Sequence, residues 1–277
     1  MLIDTHSHLN FNAFKRDLDE VIKRTLDENI WMINVGSKYE TSKRAVEIAE
    51  EYKEGVYAAI GLHPIYASNL VKIKTDPEEG DFLAKSEEFD KEKYKELALS
   101  KKVVAIGEIG LDYYYRPKTK KKLELFKEKQ KEVFLKQLEL AKELNLPVIL
   151  HCRMAHEDLL EVLNFQFSIF NFQLKGVVHC FTGSWEQAKR YLDMGFYLGI
   201  NGIIYKLDLK EVIEKTPLNR ILIETDCPYL TPIGVEMERN EPIFVKYIAE
   251  EIAKIKNINF EEVAEATTQN AKALFNI

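Results

Sequence analysis

The chain has 277 residues, of which 46% are hydrophobic and 30% charged, with only 12 glycines and 8 prolines. This composition is typical of a soluble globular protein and excludes fibrous and intrinsically disordered chains. The length fits one α/β barrel domain of about 250 residues, or two domains of more common size. The 39 basic and 45 acidic residues give a net charge of −6, which argues against a protein that coats nucleic acid through bulk charge.

The three cysteines, Cys152, Cys180 and Cys227, include no CxxC pair. Such a sparse, odd set indicates neither a disulfide framework nor a zinc ribbon and favours a reducing compartment. The first ten residues lack the basic region of a secretory signal. The longest stretch without Asp, Glu, Lys or Arg, 55–71, is too short to cross a bilayer. We therefore expect a cytoplasmic protein that does not associate with membranes.

Short apolar runs rich in β-branched residues alternate with longer amphipathic segments, which is the pattern of strand-helix units around a parallel sheet. Eight strands are predicted, at residues 2–6, 31–35, 57–61, 103–108, 148–151, 177–180, 196–200 and 220–226. The clearest predicted helix spans 121–144, and Asn145 is expected to end it. The charged segment 67–100 is predicted to be an elaborated loop that ends in a helix. Because no linker interrupts the alternation, we predict a single (β/α)8 TIM barrel over residues 1–277.

Six side chains of metal-ligand type fall at the carboxyl ends of five predicted strands. They are His6, His8, Glu108, His151, His179 and Asp226. The carboxyl ends of parallel barrel strands meet at one mouth, where the active sites of this architecture lie. Residues two apart in extended backbone point to the same side, so both rings of the His-x-His pair can reach one ion. A lone His-x-His is also typical of surface histidines, but six such residues together predict a metal centre.

Glu108 is expected to bridge two metal ions. The other ligands divide into one set of His6, His8 and Asp226 and another of His151 and His179. Four neutral imidazoles and two carboxylates carry about −2, so two divalent ions leave a local charge near +2 that attracts an anion such as phosphate. Two ions about 3.5–4 Å apart stabilise the attacking and leaving oxygens of phosphoryl transfer and lower the pKa of a bound water. This mixed ligand set leaves the choice among Mg, Mn and Zn open.

Each cysteine directly follows one of the proposed ligands, as in His151-Cys152. Neighbouring side chains on a strand point in opposite directions. We therefore expect the cysteines to face the helices as small buried hydrophobic side chains and not to act as thiolates.

At these residues the chain resembles the TatD family of metal-dependent deoxyribonucleases. This family is related to amidohydrolase-type barrels. The resemblance covers essentially the whole chain and rests on seven motifs in order. They are IDTHSHL (3–9), GLHP (61–64), GEIGLDYY (107–114), LHCRMAHED (150–158), HCFTG (179–183), ETDCPYL (224–230) and RNEP (239–242). The resemblance implies a TIM barrel with one or two metal ions that hydrolyses phosphodiesters of DNA, often as a 3′ to 5′ exonuclease.

Residue by residue, the six predicted ligands match the family's metal-binding positions. The resemblance makes Asp226 and Glu108 the candidate catalytic residues, with Asp226 as the base that orients or deprotonates the attacking water. His63 matches a position near the scissile phosphate, although a hydrogen bond within its own loop explains this histidine equally well. Glu224, two residues before Asp226, is expected to support the ligands from behind. Met154 stands where family members commonly carry Asp. This departure leaves the ligands intact but puts the hydrogen bonding around them, and the substrate preference, in question.

A run of aromatic and basic residues, LDYYYRPKTKKK (111–122), follows the fourth strand. Bases of a single strand stack on aromatic rings while Lys and Arg follow its backbone, so Tyr113 and Arg116 are candidate substrate contacts. Arg153 is a further candidate because a guanidinium binds phosphate oxygens bidentately. A solvated loop that leads into a lysine-rich helix explains the run as well. Lysines in a first helical turn oppose the helix dipole, however, and this favours a functional reason.

The leading hypothesis is a metal-dependent nuclease that acts on the ends of single-stranded DNA and needs no obligate protein partner. The alternative is a barrel hydrolase that acts on an ester or amide bond, for example in aminoacyl-tRNA. Several related barrels bridge their metals with a carboxylated lysine from the fourth strand, and the absence of lysine from Val103 to Glu108 weakens this alternative. A non-catalytic binding protein is the third possibility, and it is disfavoured because such a protein would usually have lost some of the six ligands.

Overall fold

The computed structural model describes residues 1–71, 79, 86–170 and 174–277. Eight parallel strands pair in chain order and form one nearly closed barrel. They are β1 (Leu2–Ser7), β2 (Ile30–Val35), β3 (Val56–Ile60), β4 (Val103–Asp112), β5 (Val148–Arg153), β6 (Gly176–Val178), β7 (Tyr197–Ile200) and β8 (Ile221–Ile223). Nearly every strand residue is buried, because the barrel interior covers one face of the sheet and helices cover the other. The predicted single-domain TIM barrel is confirmed.

Nine α-helices lie in the described part of the chain. They are α1 (Leu18–Asp27), α2 (Tyr39–Glu50), α3 (Lys91–Leu97), α4 (Lys120–Leu144), α5 (His156–Phe170), α6 (Trp185–Asp193), α7 (Lys210–Lys215), α8 (Val245–Lys256) and α9 (Phe260–Phe275). The predicted helix is α4, and it ends as expected at Asn145, whose left-handed φ of 52° lets its N–H reach the last carbonyls. None of the described helices combines the length and the apolar character needed to cross a membrane.

The helix predicted at the end of the charged segment 67–100 is α3. Residues 72–78 and 80–85, which make up most of the predicted loop, lie outside the described residues. The prediction of a terminal helix is therefore confirmed, whereas the prediction of an elaborated loop stays a prediction.

Closure between the last strand and the first depends on residues just beyond β8. The N–H of Asp226 donates to the His6 carbonyl at 2.8 Å, and the N–H of His8 donates to the Cys227 carbonyl at 3.0 Å. Both bonds join residues that follow β8 to the end of β1. The seam of the barrel therefore brings three of the predicted ligands together.

Two strands end earlier than the sequence pattern predicts. β6 ends at Val178 and β8 at Ile223, so His179 and Asp226 lie on the loops that follow. Cys180 has a left-handed φ of 44°, and its Sγ lies 3.5 Å from Asn201 Oδ1 on the cavity side. The expectation that Cys180 faces the helices is wrong, because strand alternation no longer applies after β6.

The other two cysteines are buried, as expected. The Sγ of Cys152 lies 3.9 Å from the hydroxyl of Tyr191 on α6, which places this thiol on the helix side of β5. Burial raises the pKa of Cys152 to about 12, so its thiol stays protonated at neutral pH.

Two buried glutamines of α4 form hydrogen bonds with two backbone segments, the loop that carries His63 and the end of β4. Gln137 accepts from the N–H of Leu62 at 2.7 Å and donates to the carbonyl of the same residue at 2.9 Å. Gln130 makes the same pair of bonds with Asp112, both at 2.9 Å. Since the glutamines are two helical turns apart, one face of α4 fixes both the loop that carries His63 and the end of β4.

Candidate metal centre

The predicted ligands converge at the carboxyl end of the barrel, and the first set lies on the seam. The Nε2 atoms of His6 and His8 are 3.1 Å apart. Glu108 Oε2 lies 3.5 Å from the Nε2 of His6. Asp226 Oδ1 lies 3.4 Å from the Nε2 of His8 and 3.9 Å from that of His6. The Nε2 of His6 thus has donor atoms of His8, Glu108 and Asp226 within 4 Å.

The second set meets the other oxygen of Glu108. Glu108 Oε1 lies 2.5 Å from His151 Nδ1 and 3.7 Å from His179 Nε2. His179 Nε2 is also 3.8 Å from Asp226 Oδ1, so this ring stands between the two sets. The oxygens of Glu108 therefore face the two ligand sets that the sequence pattern distinguishes.

Each predicted histidine ligand has one ring nitrogen that faces the centre. In three of the four, the second ring nitrogen lies beside an acceptor outside the centre. The pairs are His8 Nδ1 with the Val35 carbonyl (2.8 Å), His179 Nδ1 with Glu224 Oε1 (2.8 Å) and His151 Nε2 with Asp112 Oδ2 (3.1 Å). An imidazole whose proton is held on one nitrogen offers the lone pair of the other to a metal. Converging lone pairs and two carboxylates are a donor set for divalent cations. The residues present therefore fit the metal that the family resemblance implies.

Three groups of donors among the described residues lie close enough to hold an ion. They are His6, His179 and Asp226; His6, His8 and Glu108; and His63, Glu108 and His151. We exclude His63 as a ligand, because its Nδ1 accepts the N–H of Ile65 at 3.1 Å. The neutral ring then carries its proton on Nε2, and a protonated nitrogen does not ligate.

His63 instead presents an N–H donor to the cavity. Its Nε2 lies 3.5 Å from Glu108 Oε1. Burial and the nearby ring of His151 lower the pKa of His63 to about 3, so the ring is neutral at pH 7. The loop hydrogen bond and the position beside the centre, which the sequence left as alternatives, are thus both present in the structure.

Glu224 lies behind His179, at the place that the sequence predicts for a supporting carboxylate. It is fully buried, and its Oε1 also accepts the N–H of Cys180 at 2.7 Å and the side-chain amide of Asn201 at 3.1 Å. A Cβ at Gly199 would lie 2.4 Å from Oε2, so the absence of a side chain there gives this carboxylate its room.

Asp112 is a site residue that sequence reasoning missed. Its Oδ2 faces His151, and its Oδ1 accepts the N–H of Tyr114 at 2.8 Å. The predicted fourth strand ended at Glu108, whereas β4 continues to Asp112. The even spacing of Glu108, Gly110 and Asp112 was the available signal, because residues two apart on a strand share a face.

Asp4 was missed as well. Its buried carboxylate forms hydrogen bonds on both sides of the junction between β1 and the residues that follow β8. Its carboxylate accepts the N–H and the hydroxyl of Thr225 at 2.9 and 2.6 Å and the N–H of His6 at 3.2 Å. Burial raises the pKa of Asp4 to about 8, although these hydrogen bonds oppose the shift. Asp4 therefore ties the backbone of a ligand on β1 to the residue that precedes Asp226.

The donor set forms the floor of a cavity of about 620 Å³. Arg153, at the end of β5, and Tyr115 line its wall. Tyr113 is only 3% exposed and packs against Phe126, outside the cavity lining. The prediction that Tyr113 contacts substrate is wrong, because the chain turns after β4 and exposes the next two tyrosines instead.

Two further positions lie outside the cavity lining. Arg116 is exposed on the loop that follows β4, so the structure brings it near the mouth but not into the site. Met154 has a left-handed φ of 57° and is 58% exposed. A carboxylate contact to His151 is present in the structure, from Asp112.

Metal binding to chelator-treated protein at pH 7.5 is expected to release protons. Burial lowers the pKa values of His151 and His179, but the carboxylates around them outweigh burial and raise these values to about 10 and about 9. Both rings are therefore protonated at pH 7.5 without a cation and must lose their protons to become ligands, so about two protons leave. Above pH 10 the release is expected to vanish.

The measurement is calorimetric titration with Zn²⁺ in buffers that differ in ionisation enthalpy. The slope of the observed enthalpy against the buffer enthalpy gives the number of protons released. A slope of zero at pH 7.5 would contradict the expected protonation of His151 and His179.

Comparison with known proteins assigns the chain to one family. A family model described as TatD related DNase matches residues 3–276. The chain is 43% identical to the uncharacterized metal-dependent hydrolase YabD of Bacillus subtilis and 32% identical to the 3′-5′ ssDNA/RNA exonuclease TatD of Erwinia tasmaniensis, with 100% of both chains covered in each case. The solved structure of YJJV, a TatD homologue from Escherichia coli K12, aligns with a TM-score of 0.81 at 30% identity, covering 100% of this chain and 98% of that one. With its converging metal donors, the chain belongs to the TatD family of metal-dependent hydrolases.

Proposed function

We propose that the protein hydrolyses phosphodiester bonds of DNA, as a 3′ to 5′ exonuclease on single-stranded ends. The observation that carries the proposal is the position of a cationic and aromatic wall directly above the ligands. Arg153 and Tyr115 line the same cavity as His8, Glu108 and Asp226. An exonuclease activity is also in the name of the relative from Erwinia tasmaniensis, which matches over its full length.

The ligands His6, His8, Glu108, His151, His179 and Asp226 would hold one or two divalent ions. A divalent ion at this place supplies a Lewis acid for the phosphate oxygens and lowers the pKa of a coordinated water. We propose Asp226 as the base: burial raises its pKa, but His179 and His8 outweigh burial and keep the carboxylate ionised. Its backbone bond to His6 fixes where this carboxylate stands.

The remaining groups of the mouth bind and orient the substrate in this proposal. The Nε2–H of His63 is a neutral donor for a phosphate oxygen, and Arg153 is a permanent cation beside it in the cavity lining. The mouth therefore attracts phosphate although the net charge of the chain is −6. Electrostatic contacts of this local kind predict weak, salt-sensitive binding of DNA ends.

The test is cleavage of a single-stranded oligonucleotide labelled at its 5′ end, with Mn²⁺ or Mg²⁺. The expected product is a ladder that shortens from the 3′ end, and a phosphorothioate linkage at the 3′ end is expected to block it. EDTA and the Asp226→Ala substitution should each abolish the ladder, with Asp226→Ala reducing kcat far more than it raises KM.

A parallel arm separates this proposal from the ester or amide alternative. Aminoacyl-tRNA and a model amide are incubated under the same conditions. Release of the amino acid without any shortening of DNA would overturn the nuclease proposal in favour of the alternative, and metal-independent cleavage of DNA would overturn it as well.

A further inference from the structure

Tyr114, Tyr115 and Arg153 form one connected group at the mouth, beside the metal centre. The guanidinium carbon of Arg153 lies 3.7 Å from the centroid of the Tyr114 ring. The ring of Tyr115 meets that of Tyr114 edge-on, at 4.8 Å and 87°. Both tyrosines are about half exposed, at 49% and 48%, and Tyr115 lines the cavity together with Arg153. The three side chains are called the mouth step below.

The backbone of the mouth step is fixed to the metal centre by one carboxylate. Asp112 holds His151 with one oxygen and the N–H of Tyr114 with the other, at 3.1 and 2.8 Å. The N–H of Tyr113 also donates to the carbonyl of Arg153 at 2.9 Å, which joins the ends of β4 and β5. The step therefore has a set position relative to the ligands, although its side chains are exposed.

Stacking holds the guanidinium of Arg153 while leaving its donors free. Among the described residues, no carboxylate forms an ion pair with Arg153, and none accepts a hydrogen bond from its side chain. When a planar guanidinium stacks on a ring, its N–H bonds stay in the plane of the guanidinium and point away from the stack at its edges. Preorganised donors without a protein partner, on the wall of a cavity, are suited to a phosphate group.

Arg153 and the predicted ligand His151 are neighbours on one face of β5. Arg153 follows His151 by two residues on β5, so the two side chains share a face and their backbones are about 6.6 Å apart along the strand. Adjacent phosphates of an extended single strand are separated by a comparable distance. This spacing would let a strand whose scissile phosphate lies at the ligands present its next phosphate to Arg153 and the adjoining base to the exposed ring of Tyr115.

We infer that the mouth step is a binding subsite for the nucleotide adjoining the scissile bond, in which Arg153 binds the neighbouring phosphate and Tyr115 stacks the base. Tyr114 positions Arg153 and does not itself touch the strand. The inference rests on the proposed nuclease function and adds that the protein selects polymeric single strands over an isolated phosphodiester. Stacking has little base preference, so this selection is by length and not by sequence.

The test compares a ten-nucleotide single strand with bis(p-nitrophenyl) phosphate, a lone diester, both with Mn²⁺. The readout is the ratio of kcat/KM for the strand to kcat/KM for the lone diester. Tyr115→Ala is expected to lower this ratio about 5- to 150-fold, the range that stacking of one base at roughly 1–3 kcal/mol supports. Arg153→Gln is expected to lower it as well and to make the dependence of log kcat/KM on log salt shallower by about 0.7, the value for one phosphate contact on a single strand.

Two matched pairs make the result specific. Tyr114→Ala should reproduce the effect of Arg153→Gln, whereas Tyr114→Phe keeps a ring face under the guanidinium and should keep the ratio. Arg44→Gln removes one exposed arginine of α2 that does not line the cavity, and should leave both the ratio and the salt dependence unchanged.

Each outcome decides between the two levels of the proposal. If the unaltered protein cleaves the strand and the ratio stays the same in Tyr115→Ala and Arg153→Gln, the mouth step is not a subsite and the nuclease function stands. If the unaltered protein hydrolyses only the lone diester, or neither substrate, both the subsite and the nuclease function are overturned. A fall in the ratio for Tyr114→Phe equal to that for Tyr114→Ala would overturn the positioning role of the ring.

Discussion

Glu108→Gln is expected to remove hydrolysis almost completely while the barrel stays folded. The substitution keeps the size of the side chain but removes the charge whose two oxygens face the two ligand sets. Burial raises the pKa of Glu108, but His63 and His151 outweigh burial and hold it well below its usual value, so the native side chain is a carboxylate. An amide offers one weaker oxygen donor in its place and no charge to balance a cation.

The expected size of the loss follows from what a divalent ion contributes. Metal ions supply several kcal/mol of transition-state stabilisation, and about 4 kcal/mol corresponds to roughly a thousandfold in rate. We therefore expect kcat/KM on single-stranded DNA to fall at least about a thousandfold. Metal content after dialysis, measured by elemental analysis, should fall in parallel.

Two other glutamates serve as controls for this prediction. Glu224→Gln changes a buried carboxylate that contacts His179 from behind, and a loss of about 10- to 100-fold is expected for such a supporting residue. Glu47→Gln, on the exposed face of α2, should have no effect. If Glu108→Gln lost no more activity or metal than Glu224→Gln, the bridging role of Glu108 would be wrong.

The fold and the convergence of the six donor side chains were predictable because both depend on simple periodicities. Eight buried apolar runs separated by amphipathic segments admit few arrangements other than a parallel barrel. The carboxyl ends of such strands converge. The position of a histidine or carboxylate at a strand end therefore predicts that its side chain lies at the mouth of the barrel. His151 and Glu108 could therefore be assigned to one site without any knowledge of the distance between them.

Glu224 apart, the contacts around the centre were not predicted, because loops and left-handed backbone set most of their positions. Cys180 leaves the expected face once β6 has ended, and its φ of 44° has no signal in the sequence. Tyr113 and Tyr115 are the same residue type two positions apart, and the path of the chain after β4 decides which ring is exposed. Asn201 donates to the carboxylate of Glu224, and Asn240 donates to the backbone carbonyls of Thr225 and Tyr229. No local spacing in the sequence reports such pairings.

Asn240→Asp is expected to be the most damaging substitution outside the ligands, because Asn240 fixes the turn that carries Asp226. Asn240, within the RNEP motif, is only 1% exposed, and its amide donates to the carbonyls of Thr225 and Tyr229 at 3.0 and 2.7 Å. These carbonyls lie on either side of Asp226. The N–H of Asn240 donates to Pro228 in the same turn at 3.0 Å.

The neighbours of Asn240 anchor it from the other side. Glu241 donates its N–H to the side-chain oxygen of Asn240 at 2.9 Å, and its buried carboxylate holds Arg24 of α1 through two bonds of 2.7 and 2.8 Å. Asp226 has a left-handed φ of 58°. The turn that carries it is thus connected to helix α1 through Asn240, Glu241 and Arg24. This is the physical role of a motif that the sequence alone left without one.

Aspartate at position 240 places a carboxylate oxygen against two carbonyls that previously received N–H groups. Each buried acceptor left without a partner costs about 1–3 kcal/mol, so we expect a loss of about 3–5 kcal/mol in the free energy of unfolding. Asn240→Ala removes the same two bonds without adding a charge and should lose less. Because the displaced turn carries Asp226, kcat is also expected to fall about 100-fold, as a misplacement near 1 Å produces.

The measurements are thermal unfolding and DNA cleavage at pH 5 and pH 8. Burial beside carbonyls raises the pKa of an introduced carboxyl group, and its protonated form can donate one hydrogen bond. A group whose pKa is raised in the folded state contributes stability at low pH that is lost as the pH rises, so Asn240→Asp should approach Asn240→Ala at pH 5 and fall below it at pH 8. If both variants were as stable and as active as the unaltered protein at both pH values, the amide of Asn240 would not hold the turn, and Asp226 would owe its position to the His6 bond alone.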